Sequence, residues 1–299
     1  MNFLKFWFEC LRVYALPMSI TAWSIPFAYG CFHNGNIIHG IIALIGIVCV
    51  HLGANLFDDV LDFKKYQRNK DKGEIINLKK GKCRLFINNE ITPLKALLVC
   101  GFLFCIGCLI GGYFIWIYKL PVIIIMIITG ILCILYPKSG YLGLSEIIIG
   151  TIYSPLLFTG VFYVMTGAIS KQLELLALSF ALVTITLLYT DFFLDFNSDK
   201  LAGKKTIPIL LSCKHNAYYF YIFMLFMVYA NLFIGIHAHI FPLKYMLIFL
   251  SIIPALSTVK VLQNYIHKEI KEEKEFFFAM NNVQKYIAIF AILCVVSFL

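Results

Sequence analysis

The sequence predicts an all-α integral membrane protein, and its composition and hydropathy pattern carry this prediction. Hydrophobic residues make up 61% of the 299 residues, and charged residues only 14%, with a mean hydropathy of +0.86. Average globular chains are about half apolar and about a quarter charged. The apolar residues form continuous runs rather than an alternating pattern, which is typical of membrane helices and not of a transmembrane barrel. A water-soluble globule is excluded.

Nine apolar runs predict a bundle of nine transmembrane helices. They cover residues 16–34, 36–57, 93–116, 119–136, 142–167, 172–194, 216–238, 242–262 and 280–298. The aromatic-rich stretch 1–15 predicts an interfacial helix. The polar stretch 63–92 predicts a cytoplasmic loop or cap with a short helix, and 266–282 predicts a solvated connector. We expect a single transmembrane domain over 1–299.

The positions of lysine and arginine predict the orientation. Counted by loop, 22 of the 25 lie on the side that holds the amino terminus, and only Lys119, Lys171 and Lys244 lie on the other. By the positive-inside rule the amino terminus is cytoplasmic. We expect a multi-pass protein of the cell (inner) membrane. Topology and contacts with membrane lipid explain the net charge of +9, so no nucleic-acid partner is expected.

Two groups of acidic residues follow the second and sixth predicted spans. The first group shares one helical face at spacings of three or four: Asn55, Asp58, Asp59 and Asp62. The second group recurs at every fourth position: Asp191, Asp195 and Asp199. Like charges at this spacing destabilise a helix by a few tenths of a kcal/mol per pair, roughly, so cations are expected nearby.

Either group alone is compatible with a solvated helix end whose carboxylates pair with neighbouring lysines. Both groups, however, lie on the same predicted face of the membrane and are followed by basic residues and glycine. Mg²⁺ takes carboxylate oxygens and is commonly completed by substrate phosphates. The string DDVLD, residues 58–62, also matches the D-D-x-x-D pattern of soluble isoprenoid synthases. The sequence therefore favours a Mg²⁺ site for an amphiphile with a diphosphate head and a hydrocarbon tail.

These motifs resemble those of the UbiA superfamily of intramembrane prenyltransferases, over nearly the whole chain. NLFDDVLDF is similar to the N-x-x-N-D-x-x-D pattern of the 1,4-dihydroxy-2-naphthoate branch, with Asp58 in place of the second Asn. DFNSDKLAGKKT resembles R-D-x-x-x-D-x-x-A-G-K-x-T, with Leu194 in place of Arg. YPKSGYLGLSE is similar to a tyrosine followed by L-G-Y-x-x-L-G-E, with Ser145 in place of Gly.

The resemblance implies Mg²⁺-dependent transfer of a prenyl group from an allylic polyprenyl diphosphate to an aromatic acceptor, 1,4-dihydroxy-2-naphthoate in menaquinone biosynthesis. The implied catalytic residues are Asp59, Asp62, Asp195 and Asp199, which with Asn55 would also be the metal ligands. The other positions implied to bind the Mg²⁺-diphosphate group are Asp58, Asp191, Lys64, Lys65, Arg68, Lys204, Lys205, Tyr136 and Glu146.

Other readings stay open at this stage. The same fold could use a benzoate or a lipid hydroxyl as acceptor, or could cyclise a terpene without any acceptor. A cation transporter is disfavoured, because the aspartates lie near helix ends rather than at the middle of the membrane. His51 could face the acceptor or could be satisfied by a neighbouring polar group.

Overall fold

The computed structural model describes residues 3–71, 84–268 and 273–299, and in these ranges every regular element is a helix. The prediction of an all-α chain is confirmed. The first six helices are α1 (Phe3–Cys10), α2 (Leu16–Phe32), α3 (Ile37–Asp71), α4 (Arg84–Ile87), α5 (Pro93–Tyr118) and α6 (Leu120–Ser139). The remaining helices are α7 (Ser145–Thr151), α8 (Leu157–Thr166), α9 (Lys171–Leu194), α10 (Phe196–Leu201), α11 (Ile207–Leu210), α12 (Lys214–His237), α13 (Ile252–Asn264) and α14 (Glu273–Phe298).

Two 3₁₀ segments and one π segment connect or extend these helices. The 3₁₀ segments are Val13–Ala15 and Leu243–Ser251, and the π segment is Ile152–Leu156. The π segment contains Pro155 and joins α7 to α8. Proline removes one backbone donor, and a wider turn accommodates its ring. The three pieces therefore form one continuous span, Ser145–Thr166.

Within the described ranges, eight helical segments are long and apolar enough to cross a membrane. Each corresponds to one of the predicted spans from 36–57 to 280–298. The remaining predicted span, 16–34, is present as α2, whose 17 residues extend over about 25 Å. This is shorter than the roughly 30 Å of a bilayer's hydrocarbon core. The ninth span and the cytoplasmic amino terminus stay predictions.

Two predicted boundaries are wrong. Helix α3 runs on to Asp71, so residues 63–71 are helical rather than part of a loop. Hydropathy marks only the apolar part of a helix, whereas lysine, glutamine and arginine are good helix formers that extend it into the polar region. Similarly, α14 begins at Glu273, inside the predicted connector 266–282. Residues 72–83 and 269–272, parts of the two predicted loops, lie outside the described residues.

The chain divides into two compact units, which we call unit 1 and unit 2. Unit 1 consists of residues 1–20 and 41–127, and unit 2 of residues 21–40 and 128–299. The first aspartate group belongs to unit 1 and the second to unit 2. The single domain expected from the sequence stays a prediction.

In unit 1, α1 packs on the end of α3 that carries the first aspartate group. Cys10 of α1 belongs to one buried apolar cluster with Leu56, Val60 and Phe63 of α3, and Phe6 and Trp7 pack against the same cluster. The short helix α4 contributes Phe86, whose ring stacks on Phe63 with centroids 5.2 Å apart. The predicted short helix in the polar stretch is therefore present, and α1 and α4 both pack against the aspartate-bearing turns of α3.

In unit 2, α9 is the central helix. It packs against α12, α7, α14 and the π segment, and its buried residues include Phe180, whose ring stacks on Phe158 at 5.4 Å. A helix that is apolar on all sides is expected at the centre of a membrane protein. This packing fixes the end of α9, where the second aspartate group begins.

Candidate functional site

Helix α3 carries the first group of predicted ligands without interruption. Asn55, Asp58, Asp59 and Asp62 follow one another at helical spacing inside Ile37–Asp71. Asp59 is buried, whereas Asp58 and Asp62 are half-buried. The amide nitrogen of Asn55 is buried, and it has no hydrogen-bond partner within the described part of the chain.

Arg12 binds Asp59 through two hydrogen bonds. Its Nε donates to Asp59 Oδ2 at 3.1 Å, and its Nη2 donates to Asp59 Oδ1. A third nitrogen, Nη1, lies 3.9 Å from Asp58 Oδ2. Two parallel bonds to one carboxylate are the strongest arrangement that arginine forms with an acid. Arg12 therefore neutralises the buried Asp59 and lies close to Asp58.

The electrostatics around Arg12 follow from this geometry. Burial by itself lowers the pKa of the Arg12 guanidinium, but the carboxylates of Asp59 and Asp58 raise it by more, so the net pKa is above its usual value. Burial, followed by the negative charge of Asp59, raises the pKa of the neighbouring Cys10 thiol to about 12. At neutral pH the guanidinium is charged and the thiol is not.

His51 lies one turn before Asn55 and contacts a serine. The two atoms, His51 Nδ1 and Ser19 Oγ, are 2.5 Å apart. Ser19 is buried on α2. The reading that a neighbouring polar group satisfies His51 is therefore supported.

Three predicted basic residues continue along α3 after Asp62. Lys64, Lys65 and Arg68 are exposed on the last turns of this helix. An exposed lysine or arginine can reach an anionic substrate only by extending its side chain, so their binding role stays a prediction.

The second aspartate group spans the end of α9 and the beginning of α10. Asp195 stands at the break between the two helices. The backbone hydrogen bonds nevertheless continue in helical register, from Asp195 N to Asp191 O at 3.1 Å and from Asp199 N to Asp195 O at 2.8 Å. Asp191, Asp195 and Asp199 therefore keep the predicted spacing of one helical turn each.

Lys204 pairs with the buried end of this group. Its Nζ donates to Asp199 Oδ1 at 2.7 Å and lies 5.9 Å from the centre of the Phe192 ring. The second oxygen, Asp199 Oδ2, is buried without a hydrogen-bond partner among the residues described. Lys205 is exposed, and its backbone N–H donates to Gly140 O at 2.8 Å.

The first turn of α7 contributes Glu146 to the same part of unit 2. Glu146 is fully buried, and its Oε1 accepts the backbone N–H of Ile207 at 2.8 Å. Tyr136 is half-buried on α6, and its backbone carbonyl accepts the hydroxyl of Ser139 at 2.6 Å. Ser139 in turn lies 2.8 Å from Ser145, with the distance joining the two hydroxyl oxygens. Glu146 Oε1 is thus bonded to backbone, and a direct role of Glu146 in binding the substrate group stays a prediction.

The residues of each aspartate group have the chemistry needed to bind Mg²⁺. All predicted ligands offer hard oxygen atoms, and Asp199 Oδ2 is a buried carboxylate oxygen that lacks a partner in the described chain. The Asn55 amide can present its oxygen where its nitrogen is placed, because the two atoms are interchangeable by rotation. No three His, Cys, Asp or Glu side chains of the described residues form a metal cluster by themselves. Mg²⁺ commonly takes only one or two carboxylates together with phosphate and water.

The sequence reasoning missed Arg12. It is one of three arginines in the chain, and the sequence indicates for it only a place in the interfacial stretch 1–15 and on the cytoplasmic side. Its partner Asp59 is 47 residues away, and helical periodicity contains no information about such a contact. One signal was available: Arg12 is the only arginine in the first 67 residues, and it stands on the same predicted membrane face as the aspartates.

Comparison with known proteins gives evidence on the family and the fold of the chain. A family model described as the UbiA prenyltransferase family matches residues 18–283. The chain is 26% identical over 207 residues to UbiA prenyltransferase domain-containing protein 1 of Xenopus tropicalis, an alignment that covers 65% of this chain and 57% of the frog protein. The chain thus spans less than two thirds of the length of that relative.

Two solved structures share the fold. A UbiA homolog from Aeropyrum pernix K1 has a TM-score of 0.69 at 14% identity and covers 94% of this chain and 99% of its own. A UbiA homolog from Archaeoglobus fulgidus, bound to DMAPP and Mg²⁺, has a TM-score of 0.63 at 15% identity and covers 98% of both chains. At these identities the likeness concerns the fold alone.

Proposed function

Because the chain belongs to the UbiA prenyltransferase family, we propose that it transfers a prenyl group from an allylic polyprenyl diphosphate to 1,4-dihydroxy-2-naphthoate. This reaction would serve menaquinone biosynthesis in the cell (inner) membrane. The observation that carries the proposal is the pair of aspartate motifs, each with a buried carboxylate next to a basic side chain, Asp59 with Arg12 and Asp199 with Lys204.

In this proposal each unit holds Mg²⁺ with its own aspartate group: Asn55, Asp59 and Asp62 in unit 1, and Asp195 and Asp199 in unit 2. The bound metal would neutralise the diphosphate while the allylic C–O bond breaks. The A. fulgidus homolog, which holds Mg²⁺ together with DMAPP, supports this metal and this class of donor. Asp58 and Asp191 lie in the same two groups and would contribute negative charge to cation binding.

The basic residues would hold the diphosphate and keep it after it leaves. Arg12 and Lys204 are already fixed beside the aspartates that bind them, so a short movement of either side chain would place its donors on a phosphate oxygen. Arginine in particular can bind a phosphate group through two parallel hydrogen bonds. Lys64, Lys65, Arg68 and Lys205 are exposed and would assist from the surface, and Tyr136 would contribute its ring or hydroxyl from α6.

The allylic cation left behind would react with water unless water is excluded. The apolar helices would provide an environment from which water is excluded, and aromatic faces attract a cation by about 0.5–2 kcal/mol each.

The naphthoate acceptor is supported by the string YLGLSE, residues 141–146, and by DKLAGKKT, residues 199–206. Both resemble the motifs of the naphthoate branch.

The test is product formation by the full chain, purified in detergent with Mg²⁺, a mixture of allylic diphosphates of different chain lengths, and 1,4-dihydroxy-2-naphthoate. We expect a prenylated naphthol, inorganic diphosphate and CO₂, because in the naphthoate branch that the sequence resembles the acceptor loses its carboxyl group during prenyl transfer. Asp59→Asn and Asp195→Asn are expected to lose activity by at least about 100-fold, since each removes charge that faces the metal. Glu174→Gln is the matched control, because Glu174 accepts a hydroxyl from Thr159 at 2.7 Å at the other end of α9.

The other outcomes separate the competing functions. Diphosphate release without the naphthol product would contradict the acceptor and favour a benzoate, a lipid hydroxyl or terpene cyclisation. Failure of folded protein to turn over any allylic diphosphate would contradict the enzyme proposal altogether and favour cation transport.

A further inference from the structure

Two segments of unit 2 that lie far apart in sequence are joined by hydrogen bonds. We call residues 139–146 the turn segment and residues 202–207, which follow α10, the lysine strap. Lys205 N donates to Gly140 O at 2.8 Å, and Ile207 N donates to Glu146 Oε1 at 2.8 Å. The two bonds lie on either side of Thr206, so the strap is attached to the turn segment at both of these points.

Burying the Glu146 carboxylate at this position is energetically unfavourable. Glu146 is fully buried, its second oxygen Oε2 has no hydrogen-bond partner among the described residues, and neither does Thr206 Oγ1. Burying a carboxylate with incomplete hydrogen bonding is unfavourable by several kcal/mol, roughly, in a low-dielectric surrounding. A buried acid of this kind is commonly retained for a role in the site that it supports.

Gly143 brings the turn segment and the strap into close approach. Its φ of +77° favours glycine, and a Cβ built on it would stand 3.0 Å from Lys205 O and 3.0 Å from Leu210 Cδ1. A larger residue would strain the backbone and would also push against the strap. Gly143 and Glu146 therefore act on the same segment by different contacts.

The strap carries the basic residues of the second motif. Lys204 N donates to Asp199 O at 3.0 Å, and Lys204 Nζ donates to Asp199 Oδ1 at 2.7 Å. Since Lys205 and Ile207 are held from the turn segment, the position of the Lys204 backbone is set from both ends. A displacement of the strap would move Lys204 relative to Asp199.

We propose that Glu146 is a positioning residue for the diphosphate group: through its hydrogen bond to Ile207 N it holds the lysine strap so that Lys204 and Lys205 meet the anion beside Asp199. Glu146 itself does not touch the substrate. This inference rests on the proposed function and adds to it the residue that orients its second motif.

The direct test is the affinity of the full chain for inorganic diphosphate in the presence of Mg²⁺, measured by isothermal titration calorimetry in detergent. We expect Glu146→Ala to bind about 10-fold more weakly, as the loss of one hydrogen bond of ordinary strength predicts. Glu146→Gln is expected to bind within about two-fold of the unsubstituted chain, because the amide oxygen can accept the same N–H. Glu174→Ala controls for the loss of a partly buried acid elsewhere in unit 2.

A second variant leaves Glu146 unchanged, so the test does not depend on whether Glu146→Ala folds. Gly143→Ala is expected to weaken diphosphate binding by about 10-fold as well, since its methyl group displaces the strap. Gly167→Ala is the matched control, because Gly167 has a φ of 72° at the carboxy-terminal end of α8. It carries the same backbone strain at a point that does not contact the strap.

The outcomes are distinct. Unchanged binding in both Glu146→Ala and Gly143→Ala, with tight binding by the unsubstituted chain, would overturn the positioning role and leave the proposed function intact. Loss of binding in Glu146→Gln as large as in Glu146→Ala would also overturn it, because the carboxylate charge would then act on the bound group directly. Lack of binding by the unsubstituted chain would contradict the proposed function itself.

Discussion

Arg12 and Lys204 are the basic residues that neutralise the buried aspartates of the two motifs. Each is supplied by the same unit as its aspartate, Arg12 with Asp59 in unit 1 and Lys204 with Asp199 in unit 2. A cation that binds these carboxylates must compete with the basic side chain that is already there. In the proposed site the ion pairs would therefore set part of the affinity for Mg²⁺, in addition to the number of carboxylates.

Arg12→Ala tests this competition. Its removal leaves Asp59 buried with less compensation, so we expect the unfolding temperature of the metal-free protein to fall, by the equivalent of about 1–3 kcal/mol. Added Mg²⁺ should then raise the unfolding temperature by more in the variant than in the unsubstituted chain. Thermal unfolding in detergent, with and without Mg²⁺, measures both effects. An equal response to Mg²⁺ in the two proteins would contradict the competition.

Ser19→Ala tests the role of His51. The structure pairs His51 Nδ1 with the buried Ser19 hydroxyl, so loss of the hydroxyl is expected to cost about 1 kcal/mol of unfolding free energy. The KM for the aromatic acceptor should not change. Unfolding and steady-state kinetics on the same preparation measure the two quantities. A higher KM for the acceptor with unchanged stability would instead assign His51 to acceptor binding.

At the scale of elements, the docking of α1 on α3 holds the first aspartate group in place. The contact is apolar and includes Cys10 and Trp7 on one side and Leu56, Val60 and Phe63 on the other. Its burial also isolates the Cys10 thiol, whose pKa is raised to about 12. The reactivity of this thiol therefore reports whether α1 stays docked.

Alkylation with iodoacetamide at pH 8 measures this docking. The thiolate is the reactive form, and a thiol with a raised pKa stays protonated until the pH approaches that pKa. We expect exposed Cys213 to react and Cys10 to remain unmodified, as read by peptide mass spectrometry. Trp7→Ala should make Cys10 reactive, while the exposed Leu4→Ala should not. Rapid modification of Cys10 in the unsubstituted chain would show that α1 is not stably docked.

Individual elements differ in how far the sequence predicted them. Continuous apolar runs located the spans, because burial in lipid selects composition directly. The continuation of α3 as far as Asp71 was not predicted, since polar helix formers continue a helix without raising hydropathy. Glu146 was expected to bind the substrate group, whereas its observed partner is Ile207 N, 61 residues away. Contacts between distant segments depend on packing, which a single sequence does not encode in a readable pattern.

At the scale of the whole molecule, the charge distribution predicts which ends of the helices face the cytoplasm. Cys213 precedes α12 on the predicted cytoplasmic side, and Lys171 begins α9 on the other side. We expect a membrane-impermeant maleimide, added to intact cells, to label Lys171→Cys and to leave Cys213 unlabelled until the membrane is opened. The opposite pattern would reverse the predicted orientation. Lys171→Cys and Cys213 are each tested in a background in which the other cysteines are replaced by serine, which keeps the two signals separate.

The internal ion pairs also bear on how the chain enters the membrane. A bare aspartate near the end of a membrane helix is unfavourable to insert. Because Arg12 and Lys204 accompany Asp59 and Asp199 within the same unit, the buried charge of each motif is balanced in the folded chain by a residue of its own unit. We therefore expect the chain to insert and fold without a metal ion, and in the proposed function Mg²⁺ would bind afterwards, together with the diphosphate substrate.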